Sequence, residues 1–223
     1  MINFEKTEVM NFDAAIRGMR NPLNSWDKSD SGYFDEDGYE RLRNVGKFEI
    51  GKNDLDLAQR LIKAGSDHRK FLRQIFVSVD ITAPLYWWKE FDTYKVATVA
   101  NGCSTMHKIH SKPIELFDFS FEDFIVEIDE IGEPITVGEL FGRVVYDCEY
   151  LRKKYLETKD HKYWRALIQL LPESYNQKRT VTLNYETLRN IYGSRRNHKL
   201  DEWSVGFMDW IDSLPYAEEL IKS

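Results

Sequence analysis

Residues 80–109 read DITAPLYWWKEFDTYKVATVANGCSTMHKI, and this stretch carries most of the argument about the fold. Ile75, Val77 and Val79 alternate over residues 71–80, which predicts a strand with one buried face running towards Thr82-Ala83-Pro84. Pro84 suits the first turn of a following helix, where its missing N–H has no partner to lose. On that helix the spacing puts Trp87, Phe91 and Tyr94 on one face, and Trp88, Asp92 and Lys95 on another. A core face and a cleft face are expected. The helix empties into small polar residues containing Cys103, flanked by Gly102 and Ser104.

Working outward, short helices are expected over residues 13–20, closed by Pro22, and over 54–64, where Leu55, Ala58, Leu61 and Ile62 recur at helical spacing before Gly65. Residues 24–38, rich in turn formers and acidic groups, read as an exposed loop. Residues 112–134 are acidic, and Phe117, Phe119, Phe121 and Phe124 fit neither period cleanly. Thr136-Val137-Gly138-Glu139 is a capping box that opens a helix to about Glu157, with Leu140, Val144, Val145, Cys148, Leu151 and Tyr155 inward. A helix over 161–171 is stopped by Pro172. A short strand over 180–183 follows, and then Asn184 as the cap of a helix through Tyr192. The last helix carries Trp203, Phe207, Trp210 and Ile211 on one stripe before Pro215. Strands and long helices interleave without a regular βαβ rhythm, so the expected class is α+β, in a single domain over 1–223.

Composition narrows the function classes. The chain has 223 residues, 42% hydrophobic and 30% charged, which can bury a sizeable core. A net charge of −6 offers no basic face for sequence-independent nucleic-acid binding. No apolar run reaches the length of a membrane span, and MINFEKTEVMNF lacks a signal peptide's apolar stretch. Cys103 and Cys148 form no metal-spaced pair, so reduced thiols in a cytoplasmic protein are expected. Aromatic content of 14% serves a ring-rich core or a ligand cleft.

Individual residues carry paired readings. Cys103 on a polar loop is a nucleophile if Lys95 or His107 favours its thiolate, or else a small buried hydrophobe. His107 and His110 could face one metal ion, but no third ligand lies near in sequence, and surface histidines fit better. Arg189, Arg195, Arg196, His198 and Lys199 form a basic patch suited to a phosphate, an acidic partner surface or solvent.

The chain resembles the flavin-dependent thymidylate synthases. That family has a strand ending in Ala-Pro, a helix with an Arg-His-Arg triplet, and a small-polar loop with a serine and then an arginine. Ala83-Pro84 matches the first, and Thr93-Tyr94-Lys95 falls where the triplet belongs. Cys103 takes the serine position, Thr105 the arginine position, and Glu90 replaces a glutamine one turn before the triplet. The later half follows in order, with Leu171-Pro172, Asn184-Tyr185-Glu186, Asn190, Arg195 and Glu202-Trp203. Upstream, residues 15–20 resemble the family's Arg-x-x-Arg stretch, and residues 61–65 before His68 its glycine-histidine segment.

The resemblance implies a thymidylate synthase-like fold with a mixed or antiparallel sheet packed with long helices. It implies FAD as cofactor, a nucleotide-like small-molecule ligand, and a homotetramer with sites between subunits. His68, Asn184 and Asn190 would contact the flavin. Lys95, Tyr94, Glu90, Ser104 and Thr105 would face the substrate, and Arg195 and Cys103 would be catalytic. The triplet's substitutions thin the cationic grip on phosphate, because threonine and tyrosine cannot supply a guanidinium fork. Two functions follow: a flavin-dependent enzyme acting on a pyrimidine nucleotide, or a nucleotide- or flavin-binding or assembly protein that has lost catalysis.

Overall fold

The computed structural model describes residues 2–43, 45–128 and 131–223. In chain order the elements are β1 (Asn3–Met10), α1 (Phe12–Arg20), β2 (Gly32–Phe34), β3 (Lys47–Glu49), α2 (Lys52–Lys63), β4 (Phe76–Pro84), α3 (Leu85–Phe91), β5 (Val99–Gly102) and α4 (Thr105–Lys108). They continue with β6 (Ile125–Ile128), β7 (Pro134–Thr136), α5 (Val137–Thr158), α6 (His161–Leu170), β8 (Asn176–Asn184), α7 (Tyr185–Arg195) and α8 (Met208–Asp212). A π-helical turn over Glu202–Phe207 leads into α8. Four strands form one sheet in the order β1-β4-β8-β5, while β2–β3 and β6–β7 are antiparallel hairpins. This is the expected α+β class.

The chain divides into two compact units. One consists mainly of Ile81–Thr93 and Asn101–Thr180, the other of Phe4–Asp80, Tyr94–Ala100 and Val181–Ser223. The first unit's core joins Ile109, Ile114, Phe119, Cys148, Leu167 and Tyr175, with Val144, Val145 and Leu151 of α5 packed against them. Burial pushes the Cys148 thiol up to about 11, so it behaves as a small hydrophobe. The capping box at the start of α5 forms as expected: Thr136 Oγ1 accepts from the Glu139 N–H, and Glu139 accepts from the Thr136 N–H. Leu140, expected inward, is exposed, because the first turn of α5 precedes the part covered by the core.

In the second unit α1 and α2 bury Ile16, Leu57, Ala58 and Ile62, and Gly65 adopts the positive φ of 109° that ends α2. The acidic segment 24–38 is more ordered than a plain loop. Ser29 and Ser31 donate hydroxyls to Asp54, whose carboxylate also takes the Arg20 guanidinium at 2.5 Å. Burial pushes Asp54 up, but these donors outweigh it and hold the carboxyl below its ordinary value.

The decisive stretch departs from expectation in three places. Residues 70–74 form a 3-10 turn, and the strand begins only at Phe76. Alternation then extends beyond it, with Val77, Val79, Ile81 and Ala83 all buried. Pro84 is the last residue of β4 and caps α3 rather than opening it. Finally, α3 stops at Phe91, so Tyr94 and Lys95 lie beyond it and share no helical face with Trp87 or Trp88. The reason is local: Thr93 turns back to donate its hydroxyl to the Glu90 carbonyl at 2.7 Å. Trp88 is not on a cleft face. It is buried with Trp87 and Phe91 in one ring cluster, and its indole N–H donates to the Gln177 carbonyl at 2.9 Å.

Candidate functional site

The first unit holds a cavity of about 450 Å³, lined by Cys103, Ser104 and Thr105 together with Lys108, Lys112, Asp118, Tyr175, Gln177 and Lys178. Sheet geometry places its floor. β5 ends at Gly102, and the Cys103 N–H donates to the Lys178 carbonyl of β8 at 3.0 Å. The Cys103 carbonyl accepts from Gln177 Nε2 at 2.5 Å. Gln177 Oε1 accepts in turn from Arg179 Nε at 2.8 Å, and Arg179 Nη1 meets Asp92 at 2.8 Å. The Arg179 guanidinium also lies 4.2 Å from the Trp88 ring centroid. Gly102 permits this approach, since a Cβ there would meet the Arg179 side chain at 3.1 Å. Thus a chain from Asp92 through Arg179 and Gln177 fixes the backbone of Cys103. Asp92 pairs with Arg179.

Past Cys103, the Ser104 hydroxyl accepts from the His107 N–H at 3.0 Å and caps α4. This one-turn helix delivers Lys108 to the cavity. Lys112 Nζ lies 2.6 Å from Asp118 Oδ1, and that hydrogen bond keeps its ammonium firmly charged, against a smaller opposing effect of burial. Burial raises the Tyr175 hydroxyl above its ordinary value, so it stays protonated near neutrality, and the charge of Lys112 only partly offsets this. The wall therefore carries three lysines, one carboxylate already matched by a lysine, a thiol and a phenol.

The second unit gathers a different pair. Arg195, at the end of α7, donates from Nε to Tyr94 Oη at 2.8 Å. Its guanidinium lies 5.0 Å from the Trp203 ring centroid and 5.6 Å from that of Tyr94. A cation hydrogen-bonded to one ring's hydroxyl and set near a second ring is oriented before any ligand arrives.

Other expected site residues are placed differently. Asn184 is buried, and its Oδ1 accepts from the Thr187 N–H at 2.9 Å and from the Thr187 hydroxyl, so that oxygen serves α7. Asn190, His68 and Lys95 are exposed. Glu90 sits half-buried on α3 and is not among the residues lining the cavity. Glu186 is paired with Arg69, whose Nε reaches its two oxygens at 3.1 and 3.0 Å. His107 and His110 join no cluster of three metal-binding side chains among the described residues.

The sequence reading did not single out Lys108, Lys112, Lys178, Tyr175 or Gln177. The i, i+4 spacing of Lys108 and Lys112 was a visible cue. Lys178 and Gln177 were hidden because β8 starts at Asn176, four residues before the alternation at Thr180 becomes legible.

These arrangements sit on a known scaffold. The chain superposes on the thymidylate synthase ThyX of Helicobacter pylori, solved with FAD and dUMP, with a TM-score of 0.67 and 18% identity, covering 100% of this chain and 98% of that one. A second structure of that enzyme with FAD and dUMP gives a TM-score of 0.64 at 18% identity over 98% and 99%. The UMP/dUMP methylase PolB of Streptomyces cacaoi, bound with 5-Br UMP, gives 0.54 at 12% identity over 90% of this chain and 78% of that chain. By sequence the chain matches no protein-family profile and no curated protein. The architecture is that of the flavin-dependent thymidylate synthases.

Proposed function

We propose that this chain is a divergent flavin-dependent thymidylate synthase-like enzyme, and that its substrate is a pyrimidine nucleotide seated in the cavity at Cys103, Ser104 and Thr105. The observation that carries this reading is the charge of that cavity. Lys108, Lys112 and Lys178 line it with Asp118, which Lys112 pairs. Ammonium groups on the wall of a cavity of about 450 Å³ complement the phosphate of a nucleoside monophosphate beside its ring. The lysines replace, as point charges, the guanidinium grip that the resembling family takes from its triplet. Both named relatives in the solved complexes bind uridylates or their analogues.

The residues available for FAD fit the group. His68 and Asn190 present exposed donors, and the Glu186 carboxylate is neutralised by Arg69 and so does not stand as a bare anion against a diphosphate. Reduced flavin, when bound, supplies the hydride or carries the one-carbon unit. The chain's own part is to grip phosphate through Lys108 and Lys178 and to present backbone-fixed Cys103 to the ring. In the second unit, Arg195 offers a fixed cation for an anionic group of a ligand bound there. The implied homotetramer belongs to the same proposal, and light scattering of the purified protein checks it.

Calorimetry with dUMP, UMP and deoxyuridine tests the reading. Lys108→Ala and Lys178→Ala should each weaken monophosphate binding about tenfold, the loss of one charged hydrogen bond, and leave deoxyuridine unaffected. Equal affinity for deoxyuridine and dUMP would overturn it. The second reading is a binding or assembly protein without catalysis, favoured by the commitment of the Asn184 oxygen to capping α7. A protein that binds dUMP yet shows no flavin absorbance after incubation with FAD decides for it.

A further inference from the structure

The cavity at Cys103 keeps donors and spends its acceptors. Asp118 accepts from Lys112 at Oδ1, 2.6 Å away, and from the Glu115 N–H at Oδ2, 3.0 Å away. Gln177 Oε1 accepts from Arg179, and the Gln177 backbone carbonyl accepts from the Trp88 indole at 2.9 Å. The Cys103 and Lys178 carbonyls are engaged by the Gln177 amide and the Cys103 N–H. Asn176 lines the same wall, half-buried, and its Oδ1 accepts the Ser120 hydroxyl at 2.7 Å. Ser120 is 7% exposed and its N–H donates to the Ser174 carbonyl at 2.9 Å, so the hydroxyl that orients the carboxamide is itself anchored. A carboxamide whose oxygen is taken presents its NH2. The Asn176 Nδ2 makes no hydrogen bond among the described residues.

Resting on the pyrimidine-nucleotide reading, we propose that Asn176, oriented by Ser120, is the residue that reads the bound ring. It donates from Nδ2 to a ring carbonyl and offers no acceptor to an exocyclic amino group in that place. Uracil carries a carbonyl at C4, whereas cytosine carries there an amino group that needs an acceptor. An amino group facing the Asn176 NH2 sets two donors against each other, both desolvated and unmatched. That costs more than the missing bond alone. The side-chain oxygens of Asp118 and Gln177 cannot relieve it, because Lys112 holds the one and Arg179 the other. The hydroxyls of Thr82 and Thr105 turn to serve either kind of ring, so they do not discriminate. Ser120 is a positioning residue: without its hydroxyl the carboxamide can rotate by half a turn and present its oxygen instead.

Calorimetry of the full chain with dUMP, dCMP and deoxyribose 5-phosphate separates the ring from the phosphate. The native chain should bind dUMP about tenfold more tightly than dCMP, the scale of one hydrogen bond matched or lost. Asn176→Ala should weaken dUMP until the two nucleotides bind alike, while deoxyribose 5-phosphate binds as before. Ser120→Ala keeps every atom of Asn176 and should also narrow the ratio, here by tightening dCMP, a gain that a merely structural role for Asn176 would not produce. Equal affinity of the native chain for dUMP and dCMP overturns the proposal and leaves the nucleotide reading standing, as does an unchanged ratio in Asn176→Ala. If circular dichroism shows that Asn176→Ala does not fold, an unchanged ratio in Ser120→Ala overturns it. Failure of the native chain to bind either nucleotide removes the nucleotide reading and this inference with it.

Discussion

Arg195 and Arg196 are neighbours in sequence with different surroundings. Arg195 is half-buried, hydrogen-bonded to Tyr94 and set against Trp203, whereas Arg196 is exposed with its guanidinium 5.6 Å from the Tyr192 ring. Side-chain freedom is therefore already spent at Arg195 and retained at Arg196. Arg195→Ala should weaken ligand binding or turnover tenfold or more, while Arg196→Ala changes either by less than about twofold. Similar titration curves for the two variants would remove Arg195 from the site. Arg195 was legible in the sequence through the order of motifs around it, as was Tyr94. Their mutual bond was not, because 101 residues separate them and only folding closes that gap. Lys95 illustrates the opposite outcome: a residue marked by its position in the stretch turns out exposed, beyond the end of α3.

At the scale of elements, caps decide where helices begin. Asn184 at the head of α7 and Thr136 at the head of α5 each take a backbone N–H three residues on, at 2.9 and 3.2 Å. Replacing Asn184 with alanine should cost about 1 kcal/mol of stability in urea unfolding, and Asn184→Ser should recover most of it. If serine restores stability but not flavin or nucleotide binding, the carboxamide also touches a ligand. Thr136→Ala should cost a similar amount, and less if Glu139 is removed first, since the two caps are reciprocal. Both caps were readable directly from residue types at fixed spacing. The end of α3 was not, because a threonine hydroxyl bonding back to Glu90 competes with a helical spacing that otherwise runs on to Lys95. The start of β8 was missed for a related reason. Asn176-Gln177-Lys178-Arg179 shows no apolar alternation, yet these residues pair in the sheet and carry the cavity floor.

For the whole molecule, acid resistance rests on carboxylates in both units. In the first, Arg152 hydrogen-bonds Glu149 at 2.6 and 2.7 Å and, with the Ile114 N–H, holds its carboxyl down at about 2 against the opposing effect of burial. In the second, Asp54 is also held below its ordinary value. Both folded values lie below the unfolded ones, so their stabilisation is complete above the ordinary carboxylate range. It is lost as the unfolded chain takes up protons first, on descending from about 4.5 towards 2 for Glu149. Unfolding free energy should therefore fall over that window, by up to about 1.4 kcal/mol per pH unit for each such group. Glu149→Gln should be less stable at neutral pH and show a shallower acid slope in urea titrations at successive pH values. An unchanged slope would show that Glu149 does not report acid unfolding. Taken by itself, the sequence determined the α+β class, the capped helices and the buried face of β4, because periodicity and capping are local and each residue's neighbours supply the physics. Tertiary structure alone decided that Cys103 shares a cavity with Lys112, Tyr175 and Lys178, and that Asp92 is bound by Arg179. Those partners come from β8 and the segments after α4, and no local pattern encodes which distant backbone will supply a hydrogen bond.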